Sequence, residues 1–322
     1  SDWSSDVCSS DLRILLLMRD YHLTKRIVMD FFTLFTPDGA ALDTSAMLIV
    51  IAVMFLYTFV GICAGFGGGL TSMPLITMVL PLKMAAPMSV MVGTATALYA
   101  TWLSRKETDW KSAAVLILFS FAGIPVGLYA LSYLPDHIMK IGLGGFIIIY
   151  SFYSLFIPRL PIYDKRWIAA PMGAIAGALG AAFSTNGPPV VMYGMLRNLG
   201  PAAFRGTLNA FFTANNIAII GGLATSGILT ISTFKLVLFC IPTMILGSIV
   251  GQYVHKRISV KIFRIMVFLL LIASGAMLIK GATGISALSA LLPVFSLLII
   301  LQLIFGKKVA AIRAMDEAAK PQ

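Results

Sequence analysis

The chain has 322 residues, of which 59% are hydrophobic and only 11% charged, and its formal net charge is +11. A soluble domain carries charge on roughly a quarter of its residues, so this composition excludes an ordinary globular protein and indicates one that resides in a bilayer. The positive excess would suit a nucleic-acid partner, but Lys and Arg also collect in cytoplasmic loops, where they meet lipid headgroups. In so apolar a chain lipid is the expected partner and nucleic acid is not.

Taken in order, Ser1 to Leu12 (SDWSSDVCSSDL) is polar, rich in Ser and Asp, and unlike everything after it. One reading of a common sequencing-adapter string translates to Asp2 through Leu12, so residues 1–12 are expected to be a non-native artefact. Residues 13–44 read as an N-terminal amphipathic or interfacial segment. Apolar stretches of about 20 residues, the length a helix needs to cross the hydrocarbon core, then recur near 45–64, 84–103, 112–132, 138–157, 167–183, 203–224, 231–254, 260–280 and 286–305. The last is an extra C-terminal helix, followed by a polar tail over 306–322. Cys63 and Cys240 sit in apolar surroundings without metal-ligand spacing, and read as buried thiols.

Two apolar stretches are interrupted. The first carries Gly65-Phe66-Gly67-Gly68-Gly69-Leu70-Thr71-Ser72-Met73-Pro74. Gly61, Gly65 and Gly69 are spaced four apart, as in a packing stripe. Gly67 and Gly68 lie off that stripe, and Thr71, Ser72 and Pro74 supply cap hydroxyls and a helix-start proline, so a break is expected. The second is Ser184-Thr185-Asn186-Gly187-Pro188-Pro189. Two successive prolines remove two backbone donors, and three good cap residues precede them, so a short helix should start near Pro188. Lipid cannot hydrogen-bond open backbone, so such breaks persist only against protein or a polar cavity. A helix start there favours an anion.

The halves repeat. Gly123 and Gly127, with the apolar residues after them, line up with Gly247 and Gly251 at one constant offset; Gly93-Thr94 and Gly206-Thr207 precede each match. The fold class expected is an all-α polytopic membrane protein of two inverted repeats, 45–157 and 167–280, each with a broken or re-entrant helix pair and three transmembrane helices. Basic residues fit this arrangement: the groups at 105–111, 159–166, 197–205, 255–264 and 307–313 then share one side, with Lys83, Lys140, Lys235 and Lys280 opposite. Arg13, Arg19, Lys25 and Arg26 run against it unless 27–35 lies at the interface or the native N-terminus differs.

Between Asp164 and Asp316 there is no Asp or Glu. Intramembrane proton or sodium sites usually use a buried carboxylate, so any ligand here meets hydroxyls, amides and backbone. The substrate-binding set expected is Gly67, Gly68, Gly69, Thr71, Ser72, Ser184, Thr185, Asn186, Gly187 and Asn209, with Arg205 one turn from Asn209 to draw in an anion. No catalytic residue, cofactor or metal site is expected.

GFGGGLTSMPLI at 65–76, Gly93-Thr94-Ala95, STNGPPVVMYGM at 184–195 and Gly206-Thr207 together resemble the TauE/SafE sulfite exporters of the toluene-sulfonate uptake permease group. The resemblance covers nearly all of 45–281 and implies a multi-pass permease of the cytoplasmic membrane that exports sulfite, an organosulfonate or another small organic anion. The residues alone reach an anion, not sulfur. A passive anion channel is the alternative, followed by an intramembrane enzyme, for which no nucleophile, metal set or acid pair is visible. A homodimer and the direction of transport stay open.

Overall fold

The computed structural model describes residues 44–65, 67–156, 166–255 and 260–283. Residues 1–12, nearly all of 13–44, the helix expected at 286–305 and the tail at 306–322 lie outside them. Among the described residues there are ten α-helices and no strand: α1 Thr44–Ala64, α2 Gly68–Ile76, α3 Leu82–Ser104, α4 Trp110–Tyr133, α5 Asp136–Phe156, α6 Ala169–Phe183, α7 Gly187–Leu196, α8 Pro201–Thr225, α9 Ile231–His255 and α10 Val260–Thr283. The order long, short, long, long, long occurs twice, α1 to α5 and α6 to α10.

Local chemistry sets the ends. Asp109 caps α4, accepting the Ser112 amide at 3.2 Å and the Ser112 hydroxyl at 2.6 Å. Asp136 opens α5, where it pairs with Lys140 at 2.7 Å and accepts the Leu82 amide at 2.9 Å. A carboxylate in a first turn also meets the positive end of the helix dipole.

Among the described residues, three helices are long and apolar enough to cross a membrane: Ser45–Cys63 within α1, Trp110–Tyr133 and Ile231–Val254. The last two are α4 and α9, which hold the same place in the repeated order and expose Leu118, Phe121 and Val126, and Leu238, Ile245 and Ile249. Exposed apolar surface on that scale suits hydrocarbon rather than water. By contrast, α3 and α8 carry the hydroxyls and amides, and join through Thr101 Oγ1 and Thr213 Oγ1 at 2.9 Å.

The principal helix contacts exchange when the two sets of five are exchanged. α4 packs on α6 and α9 on α1, while α3 meets α8 and α5 meets α10. The glycines drive this. A Cβ on Gly123 or Gly127 would collide with the carbonyl of Ala174 or Ala178 on α6; on Gly247 or Gly251 it would press on the carbonyl of Phe55 (2.7 Å) or Phe59 (3.1 Å) on α1. Absent side chains at these positions let the helix backbones touch. Gly144 and Gly275 face one another in the same way across α5 and α10. The Gly-Thr pairs do not correspond so closely: Gly93 lies midway along α3, whereas Gly206 is in the second turn of α8 and packs on Thr108.

The 21-residue α1 is about 30 Å long at 1.5 Å per residue. The first break thus follows a helix of spanning length, whereas the 15-residue α6 before the second reaches only about 22 Å.

Candidate functional site

Both breaks are made by residues in left-handed conformation. After α1, Gly65 and Gly67 have φ of 76° and 90°, a region that L side chains rarely enter. After α6, Ser184 takes φ 55° in the place that Gly65 holds after α1. There it closes α6 in the manner of a C-terminal cap, with the Ser184 amide on the Gly180 carbonyl at 2.8 Å and the Thr185 amide on the Leu179 carbonyl at 3.4 Å.

The breaks touch one another. A Cβ on Gly69 would strike the Ser184 carbonyl oxygen, so α2 enters its turn directly against the second break. Between them opens a cavity of about 540 Å³. It is lined by Gly67, Gly68 and Gly69 from the first break, Ser184, Thr185, Asn186 and Gly187 from the second, and Arg205 and Asn209 from α8. Nine of the expected site residues therefore share one space. Arg205 and Glu107 are both exposed and line the same cavity.

Thr71 and Ser72 do not line it. Both lie inside α2 and bond back to its own carbonyls: Thr71 Oγ1 to Gly67 O (3.1 Å) and Gly68 O (3.0 Å), Ser72 Oγ to Gly69 O (3.3 Å). Their hydroxyls satisfy the previous turn instead of capping a helix. Pro74 is likewise within α2, not at its start.

The second break also differs from expectation in its donors. Asn186 holds the N-cap position of α7, but its side chain makes no cap bond; Nδ2 donates to Asn216 Oδ1 on α8 at 2.9 Å. Of the first amides of α7, those at Pro188 and Pro189 are absent, so this helix start offers little beyond Gly187. In α2 the early positions Gly68, Gly69 and Leu70 all carry N–H groups without partners in the preceding turn. Main-chain donors thus come chiefly from the first break and side-chain groups from the second. The Thr185 hydroxyl, on a residue only 2% exposed, has no hydrogen-bond partner among the described residues. A buried orphan hydroxyl costs roughly 1–3 kcal/mol unless something else satisfies it.

Sequence reasoning missed Tyr57, Thr58 and Gln252, which also line the cavity. Tyr57 stands between two glycines: its ring lies 3.1 Å from a Cβ built on Gly68, and its hydroxyl would collide with one on Gly93. Nothing in the run of α1 distinguishes Tyr57 from a core aromatic; only the pairing of Gly68 with Gly93 across two other helices makes its slot.

A helical membrane protein with a cavity between two chain breaks has the build of a transporter. Residues 50–278 match the sulfite exporter TauE/SafE family, and the chain belongs to it; the family's members are membrane transporters. Comparison with curated proteins and with solved structures gives no match.

Proposed function

We propose that this protein is a permease of the cytoplasmic membrane that moves a small anion, sulfite or a related sulfonate, outward through the cavity between the two breaks. The observation that carries the reading is that Gly67–Gly69 and Ser184–Gly187 line the same space, with unpaired amides at the start of α2 and a buried, unpartnered Thr185 hydroxyl in the wall. Arg205 adds positive charge to the lining, where it raises local anion concentration. The family's description as sulfite exporters supports both the substrate class and the direction.

The reading includes two inverted repeats, 45–157 and 167–280. Support comes from the helix contacts that survive exchange of the two halves, and from the paired glycines at 123 and 127 and at 247 and 251 that seat α4 on α6 and α9 on α1. Transporters of that design bind anions where half-helix amino ends meet.

Purified protein in proteoliposomes tests the activity. Sulfite flux should exceed that of protein-free vesicles, saturate, and show counterflow, which separates a carrier from a channel. Flux equal to that of empty vesicles would sink the proposal.

A further inference from the structure

The polar groups of the cavity have fixed directions. Because Asn186 Nδ2 donates to Asn216 Oδ1 at 2.9 Å, the orientation of both amides is set. Asn216 is left with its Nδ2 donor and Asn186 with its Oδ1 acceptor. Asn216 Nδ2 lies 3.2 Å from the position a Cβ would take on Gly93, the same point that the Tyr57 hydroxyl crowds. Two donors, Tyr57 Oη and Asn216 Nδ2, therefore flank one point at the cavity wall, and an acceptor stands beside them on a residue 9% exposed. A purely anion-accepting wall would have no use for that acceptor.

Charge points the same way. The ionisable lining groups are Tyr57 on α1, Tyr99 on α3, Glu107 just after α3 and Arg205 on α8. Glu107 and Arg205 are both exposed and opposite in formal charge, and the groups around the breaks are neutral. Desolvating an ion costs energy in proportion to the square of its charge, so a neutral site penalises a dianion far more than a monoanion. Taking the anion-permease reading as its basis, we infer that the cavity takes its oxyanion in the singly charged, proton-bearing form. The bare oxygens accept from Tyr57 Oη, Asn216 Nδ2 and Thr185 Oγ1, and the acid hydroxyl donates to Asn186 Oδ1.

Sulfite and methanesulfonate separate the possibilities. Sulfite exchanges between monoanion and dianion near neutral pH, whereas methanesulfonate is a monoanion of similar size with no proton to give. In proteoliposomes, sulfite flux at fixed total concentration should follow the monoanion, falling about tenfold per pH unit above its second dissociation, while methanesulfonate flux stays level. Asn186→Ala should reduce the preference for sulfite over methanesulfonate at mildly acidic pH by roughly threefold to tenfold, the worth of one hydrogen bond. Tyr57→Phe should slow both anions alike. Sulfite flux that is flat or rises with pH, or a preference unmoved in Asn186→Ala, would overturn the inference and leave the permease standing. Absence of flux for both anions above empty vesicles would overturn the permease itself and the inference with it.

Discussion

Gly69 and the carbonyl oxygen of Ser184 are in such close approach that no side chain fits between them. Residues far apart in sequence thereby hold together the two chain breaks that line the cavity. Gly69→Val should separate the breaks and abolish anion flux, whereas Gly145→Val, at a position where a Cβ meets nothing within 4 Å, should leave flux and thermal stability as they were. Flux assays on both variants, with monodispersity in detergent as the folding check, decide the point.

Gly67 has open space around it but φ of 90°. A side chain there is penalised by backbone strain alone, so Gly67→Ala should lose about 1–2 kcal/mol of stability. Ser184, left-handed without being glycine, should behave in the opposite sense: Ser184→Gly relieves strain, and its melting temperature should match or exceed that of the wild type. Thermal unfolding in one detergent measures both.

The Asn186 to Asn216 hydrogen bond joins the second break to α8. Removing either partner strands a buried amide, so each single alanine variant should cost about 1–3 kcal/mol. The double variant should cost clearly less than the two together, the signature of a direct coupling. Strict additivity would show that the two amides do not act as a pair.

At the start of α4 the Asp109 carboxyl is held below the usual carboxylate range, first by the Ser112 hydroxyl and further by backbone amides and Arg197. A lowered folded value means that the carboxylate stabilises the protein above the unfolded range, and that this contribution fades as pH falls through the folded value. Asp109→Asn should therefore melt lower than wild type at neutral pH, with the gap closing in acid. A gap that widened in acid would contradict the assignment.

Much of the fold was legible because its signals are local. Apolar length located the eight longer described helices to within a few residues, and Pro188-Pro189 marked the start of α7, since two missing donors allow little else. The glycine cluster at 65–69 marked the first break. What escaped notice depends on partners remote in sequence. Thr71 and Ser72 read as caps, but with glycines preceding them they fold into α2 and bond backwards. Asn186 has a cap's chemistry, yet Asn216 claims its side chain. Tyr57 reaches the cavity only because Gly68 and Gly93, on two other helices, leave room for its ring. The Gly-Thr pairs matched as letters but occupy different turns of α3 and α8, because glycine recurs in membrane helices for packing at any depth.

The central claim is that the groups left unpaired around the cavity are reserved for an anion, and Thr185 tests it most directly. Its hydroxyl is buried without a partner, and Thr185→Val keeps the side chain's shape while removing it. If the hydroxyl had no part in transport, the valine variant would be at least as stable and would transport unchanged. The account predicts instead a protein of equal or higher melting temperature whose sulfite uptake in proteoliposomes has an apparent KM raised about threefold to tenfold, as expected for one lost hydrogen bond. A KM indistinguishable from wild type in that equally stable variant would contradict it.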